Sequence, residues 1–156
     1  MNMRFVVPAV VLAGVMAAAA PAFAHHSFNM FDMKPEAEIA FQGVVKQWAL
    51  VNPHSWLTIT VTNPDGTLTD WSFEGAAVAQ LVPKGITIET YKVGEKVRVV
   101  AGPLKDGRHG GVLKFVQHAD GRYTLPNDVG NIGQEALDRW KAKNLKATES
   151  APPRSR

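Results

Sequence analysis

Of the five histidines in this chain of 156 residues, three stand where they could gather around a metal ion. His25 and His26 are adjacent in Ala24-His25-His26-Ser27-Phe28, and His54 lies in Asn52-Pro53-His54-Ser55-Trp56. Cleavage after Ala24 would make His25 the amino-terminal residue, which then chelates through its α-amine and its imidazole Nδ1. A further nitrogen completes a T-shaped site. Ligands of this kind favour Cu(II) among the common divalent first-row ions, and an α-amine with a pKa of about 8 gives up its proton to the metal with little help. His26 offers a second mode, in which the amine, a backbone amide and its own imidazole bind together. His54 is the candidate for the nitrogen from elsewhere, since a turn between two strands can aim a side chain over a barrel mouth. Its structural alternative is to satisfy, with the Asn52 amide, backbone groups that Pro53 leaves open while Trp56 packs beneath.

Met30 and Met33 carry thioethers suited to Cu(I). Their favoured role, with Phe28 and Phe31, is to clamp the N-terminal segment onto the body as apolar anchors. His109, in Asp106-Gly107-Arg108-His109-Gly110-Gly111, reads as a solvated loop residue, and His118 as the end of its strand. Glu74 is either a buried carboxylate orienting a histidine or an exposed residue at a strand end. Ser27, Ser55 and Ser72 lack nucleophile-elbow glycines, the chain has no cysteine, and Gly107, Gly110 and Gly111 precede no phosphate-binding helix. An acid–base hydrolase using His54 and Glu74 rests on residue types alone.

The segment before these residues has the layout of a secretion signal. Arg4 supplies a charged start, Phe5 to Ala20 is apolar, and Ala22-Phe23-Ala24 places small residues at the cleavage position. A membrane anchor would want roughly 20 apolar residues, whereas this run is shorter and flanked or broken by Pro8 and Pro21. The expected compartment is periplasmic or secreted, with no stable membrane insertion after cleavage. Lys and Arg number 17 against 14 Asp and Glu, and residues 1 to 24 take away only Arg4. The remaining basic excess sits in the C-terminal part, with no basic patch interleaved with aromatics, so nucleic acid is not expected as a partner. Absence of cysteine means that packing, or a bound ligand or metal, must hold the fold.

The elements that must position these residues read as mainly β. Glu38 to Val51 forms a long first strand, with Ile39, Phe41, Val45 and Ala49 inward, Gln42, Lys46 and Trp48 outward, and a bulge expected at Gly43. Trp56 to Thr62 alternates cleanly, Leu57, Ile59 and Val61 on one face. Asn63-Pro64-Asp65-Gly66 turns the chain into Thr67 to Glu74 as a hairpin. Ala76 to Val82 is a short helix closed by Pro83 and Gly85; strands follow at Val97 to Ala101 and Val112 to His118. Three strands, a helix and two strands predict a small five-stranded Greek-key barrel of the OB-fold type. Ala136, Leu137 and Trp140 give Gln134 to Lys146 an amphipathic helix that docks Trp140 on the body. The domain division is therefore a signal at 1–24, the barrel at 25–126, a helical extension at 127–146 and a disordered tail at 147–156.

The double histidine after the signal and the Asn-Pro-His-Ser-Trp block, together with Phe31-Asp32, Gly43-Val44-Val45-Lys46, Trp71-Ser72-Phe73-Glu74 and Asp106-Gly107-Arg108, resemble a family of short secreted bacterial proteins of unknown function. The resemblance spans Ala24 to Leu125, implies export and a small β-rich fold, and carries no activity with it. Asn127 to Arg156 extends past it. The resulting expectation is an exported periplasmic copper-binding protein that binds, delivers or sequesters the ion, with His25, His26 and His54 as metal ligands; a redox enzyme would also need an open coordination position and a substrate surface, and the sequence shows neither. The alternative is a non-metal module that engages a partner protein or small ligand through an aromatic face of Trp48, Trp56 and Trp71.

Overall fold

A computed structural model of the chain describes residues 28–149; His25, His26 and the expected signal lie outside the described residues. Strands β1 (Ile39–Ala49), β2 (Trp56–Thr62) and β3 (Leu68–Glu74) are followed by one helical turn, α1 (Val78–Leu81). Then come β4 (Lys96–Pro103), β5 (Gly110–His118), a two-residue β6 (Tyr123–Thr124) and the long helix α2 (Ile132–Glu149). Neighbouring strands run in the order β3-β2-β1-β4-β5-β6. A parallel pairing of β3 with β5, with Ser72, Phe73 and Glu74 opposite Gly110, Gly111 and Val112, closes the first five strands into a barrel. This is the expected five-stranded Greek-key barrel, with its short helix between β3 and β4 and a helix at the C-terminal end.

Strand β2 follows its alternation: Leu57, Ile59 and Val61 are buried, and the antiparallel ladder to β3 runs unbroken from Trp56 opposite Glu74 to Thr62 opposite Leu68. Strand β1 departs from the sequence reading. Its bulge lies at Lys46, since Val45 pairs with Ile59 and Gln47 with Thr58, and the extra residue inverts the alternation beyond it. Trp48 therefore turns inward, is buried, and donates its indole N–H to the Thr87 carbonyl at 2.9 Å. Gly43 serves instead as a point of close approach, where a Cβ would sit 2.8 Å from the Thr60 carbonyl oxygen.

A second bulge, on β5, sets the C-terminal packing. Val100 pairs with Phe115 and Ala101 with Leu113, so Lys114 is the extra residue and Phe115 turns outward. Val100 and Phe115 then seat Ala136 and Leu137 of α2 in a second apolar cluster, with Trp140 and Tyr123 packed at its edge. The buried Lys114 ammonium donates to Glu38 at 2.8 Å and to the Met33 carbonyl at 3.2 Å, and Arg139 of α2 also binds Glu38. This triad ties the N-terminal segment to the C-terminal helix. Among the described residues no helix is long and apolar enough to cross a membrane.

Candidate functional site

His54 sits in the link between β1 and β2, and that link is stapled to the end of β3. Ser55 N–H donates to the Ala76 carbonyl at 3.1 Å, and Gly75 N–H donates to the Ser55 carbonyl at 2.8 Å. The Asn52 side chain accepts from Val78 N–H at 3.2 Å. Gly75 is needed here, because a Cβ would lie 2.4 Å from Ser55 Oγ. These contacts bring His54 onto Glu74, the last residue of β3, with His54 Nδ1 2.8 Å from Glu74 Oε1. The imidazole is 34% exposed and the carboxylate only 9%. Burial pushes the Glu74 carboxyl above its usual range, and the charge of His54 beside it pulls the other way.

The arrangement fixes the ring of His54 and engages one nitrogen. A carboxylate at Nδ1 holds the imidazole in one orientation and leaves Nε2 without a partner among the described residues, the usual support behind a metal-ligating histidine. Glu74 is thus the buried orienting carboxylate, not an exposed strand end. Asn52 does satisfy backbone, as its structural reading held, but His54 does not.

The N-terminal segment approaches the same end of the barrel. Phe31 pairs with Leu104, and Asp32 N–H donates to the Pro103 carbonyl at 2.8 Å. Glu74 stands opposite Val112 on β5, and Val112 opposite Gly102 on β4. A Cβ on Gly102 would be 3.4 Å from Met33 Sδ and 3.4 Å from Val112 Cγ1. Three strand spacings, about 14 Å, therefore separate this segment from the β3 end. Phe31 is the buried anchor of the segment, while Met30 is exposed.

The other histidines are elsewhere. His109 packs its ring 4.8 Å from that of Trp71. His118, expected merely to end its strand, is buried in a polar network that sequence reasoning missed. Its Nδ1 lies 2.7 Å from Glu95 Oε1 and its Nε2 3.2 Å from Thr124 Oγ1, and its ring stacks on Tyr91 at 5.3 Å. The Tyr91 hydroxyl in turn meets Thr124 Oγ1 at 2.6 Å. One signal was available: beyond the β5 bulge, His118 falls on the inward parity of Val116. Among the described residues no three His, Cys, Asp or Glu side chains converge as a metal site. The aromatic face is also corrected, since Trp48 is in the core and Trp56 points outward.

Comparison with curated proteins gives no match. A solved structure similar to this chain is the crystal structure of the mitochondrial single-stranded DNA-binding protein Rim1 of S. cerevisiae, at 14% identity and a TM-score of 0.42, covering 57% of this chain and 94% of that one. The expectation that excluded nucleic acid as a partner, which rested on the charge balance and the lack of a basic patch interleaved with aromatics, is withdrawn beside this likeness to a DNA-binding protein. A likeness of this size assigns no partner. A family model matches residues 12–114, a stretch that includes His54, Trp56 and Glu74 and stops before His118 and α2. The chain belongs to a family of unknown function (DUF6152).

Proposed function

We propose that this is an exported, periplasmic metal-binding protein, with copper the favoured ion. His25 would chelate through its α-amine and Nδ1, His54 would supply Nε2, and His26 would serve as an alternative or additional ligand. The observation that carries this reading is the His54–Glu74 pair, a partly exposed imidazole with Nδ1 held by a buried carboxylate and Nε2 left for a ligand. The role is binding, delivery or sequestration, because the site combines no nucleophile with a substrate surface.

The test is intact mass and N-terminal sequencing of exported protein, followed by Cu(II) titration of that material against a competing chelator. A chain that starts at His25 and binds one copper with sub-micromolar affinity, lost when the amine is blocked, is the expected result. A different start, or copper held no better than by a loose surface histidine pair, contradicts it.

A further inference from the structure

The outer face of the barrel carries a second feature, independent of His54 and Glu74. Strands β1, β2, β4 and β5 bound a cavity of about 540 Å³ whose walls include Gln42, Thr60, Thr62, Lys96, Arg98 and Gln117. The ladders explain why these side chains share one face. Gln42 lies opposite Arg98 and Val44 opposite Lys96, while Arg98 lies opposite Gln117 and Val44 opposite Thr60.

The charge of this cavity is one-sided. Lys96 and Arg98 line it, and no carboxylate does. Neighbouring acids are already engaged: Asp70 by Lys46 and Thr60, Glu95 by His118, and Asp120 by Arg122. Neither Lys96 nor Arg98 has a carboxylate partner among the described residues. Arg98 Nε is buried without a hydrogen-bond partner among them, and its guanidinium lies 5.2 Å over the ring of Trp140. A guanidinium stacked on an indole keeps its in-plane N–H groups for an anion, with the fork geometry that suits a carboxylate or a phosphate.

The rest of the lining carries no acid and mixes apolar Val44, Val97 and Ala119 with polar side chains, His118 among them. Thr60 donates its hydroxyl to Asp70 and Gln117 donates Nε2 to the Tyr123 hydroxyl, which leaves their oxygens as acceptors, while the Gln42 amide and the Thr62 hydroxyl can both donate and accept, the chemistry that recognises hydroxyl groups. A cavity of this size falls within the range for small organic ligands, and a bare inorganic ion would fill a fraction of it. We propose that this cavity binds a small hydroxylated organic anion, a sugar acid or sugar phosphate, with its charged group on Arg98 and Lys96 and its hydroxyls on the surrounding glutamines and threonines.

Calorimetric titration of the full mature chain at low salt with glucuronate, glucose 6-phosphate, glucose and an oligothymidylate tests this. One of the two sugar anions should bind saturably in the millimolar range or better, with uncharged glucose at least about tenfold weaker. Glucuronate against glucose 6-phosphate decides whether the charged group is a carboxylate or a phosphate. Arg98→Gln should weaken binding at least about tenfold. Lys96→Gln, at an exposed position that supports no packing, should weaken it too if loss of the Trp140 contact unfolds the first variant. Binding of neither sugar anion, glucose binding equally well, affinity unchanged in both variants, or oligothymidylate displacing the sugar anion would each overturn the proposal. Copper affinity is read in parallel, and it should be the same in wild type and both variants.

Discussion

Two histidine–glutamate pairs of the same chemistry sit at different places in this barrel, and they have different capacities. His118 is 1% exposed, and its two nitrogens face Glu95 and Thr124, so no position is left for a ligand. His54 is 34% exposed and has one nitrogen held by Glu74. What separates a structural imidazole from one able to ligate is the number of ring nitrogens that the fold already engages. Both pairs have a carboxylate at Nδ1; only the second nitrogen differs.

The largest expected effect comes from removing the two rings in turn. His54→Ala should weaken copper binding by at least about 100-fold, since a lost direct ligand costs no less than the 10–100-fold of a lost supporting residue, and it should cost about 1 kcal/mol of stability because the buried Glu74 carboxylate loses its partner. His118→Ala should spare copper binding and cost more stability. It removes the His118 bonds to Glu95 Oε1 and Thr124 Oγ1 and the buried ring stacked on Tyr91, and should cost about 2–4 kcal/mol in denaturant unfolding with unchanged copper affinity. Loss of copper binding in a folded His118→Ala protein would erase the distinction.

A smaller effect sharpens it through the carboxylates. Glu74→Gln keeps the shape but weakens the hold on Nδ1, and it should lower copper affinity by about tenfold. Glu95→Gln should leave that affinity alone. Competition titrations of the two variants read this directly.

The smallest effect concerns the far side of the buried network. Burial raises the Tyr91 hydroxyl above its usual value of 10.0, against the opposing hydrogen bond of Thr124. The folded state thus keeps a proton that the unfolded chain releases, and stability falls as pH rises past about 10. Tyr91→Phe should cost about 1 kcal/mol near neutral pH, through the lost hydrogen bond. Its melting temperature should nevertheless decline less steeply than that of wild type between pH 9 and pH 11, in steps bracketing the ordinary tyrosine value. Parallel melting curves would contradict the buried hydroxyl.

How far the sequence could be read follows from the same local geometry. Strand β2 was legible because nothing interrupts its period of two. In β1 the pattern held up to Val45 and failed at Lys46, since a bulge shifts parity without a compositional mark; Gly43 was the more visible residue but marks close approach of β2. That one extra residue moved Trp48 from an outer aromatic face into the core. Glu74 and His54 were both noticed, but their pairing depends on the Asn52, Ser55 and Gly75 staples between separate segments, which no local pattern carries. Glu95 and His118 are further apart still, 23 residues along the chain, and only His118 read as the end of a strand. Lys114 reads as an outward cation and is buried because the N-terminal segment and α2 bring Glu38 and Arg139 over it.

The most direct test of the central claim is a long-range proton–nitrogen correlation spectrum of the histidine rings in mature protein, recorded as Cu(II) is added to one equivalent. The account predicts that the His54 ring signals broaden beyond detection together with those of His25, while the His118 signals, on the buried network, persist. His54 signals that survive a full equivalent of bound copper would contradict it.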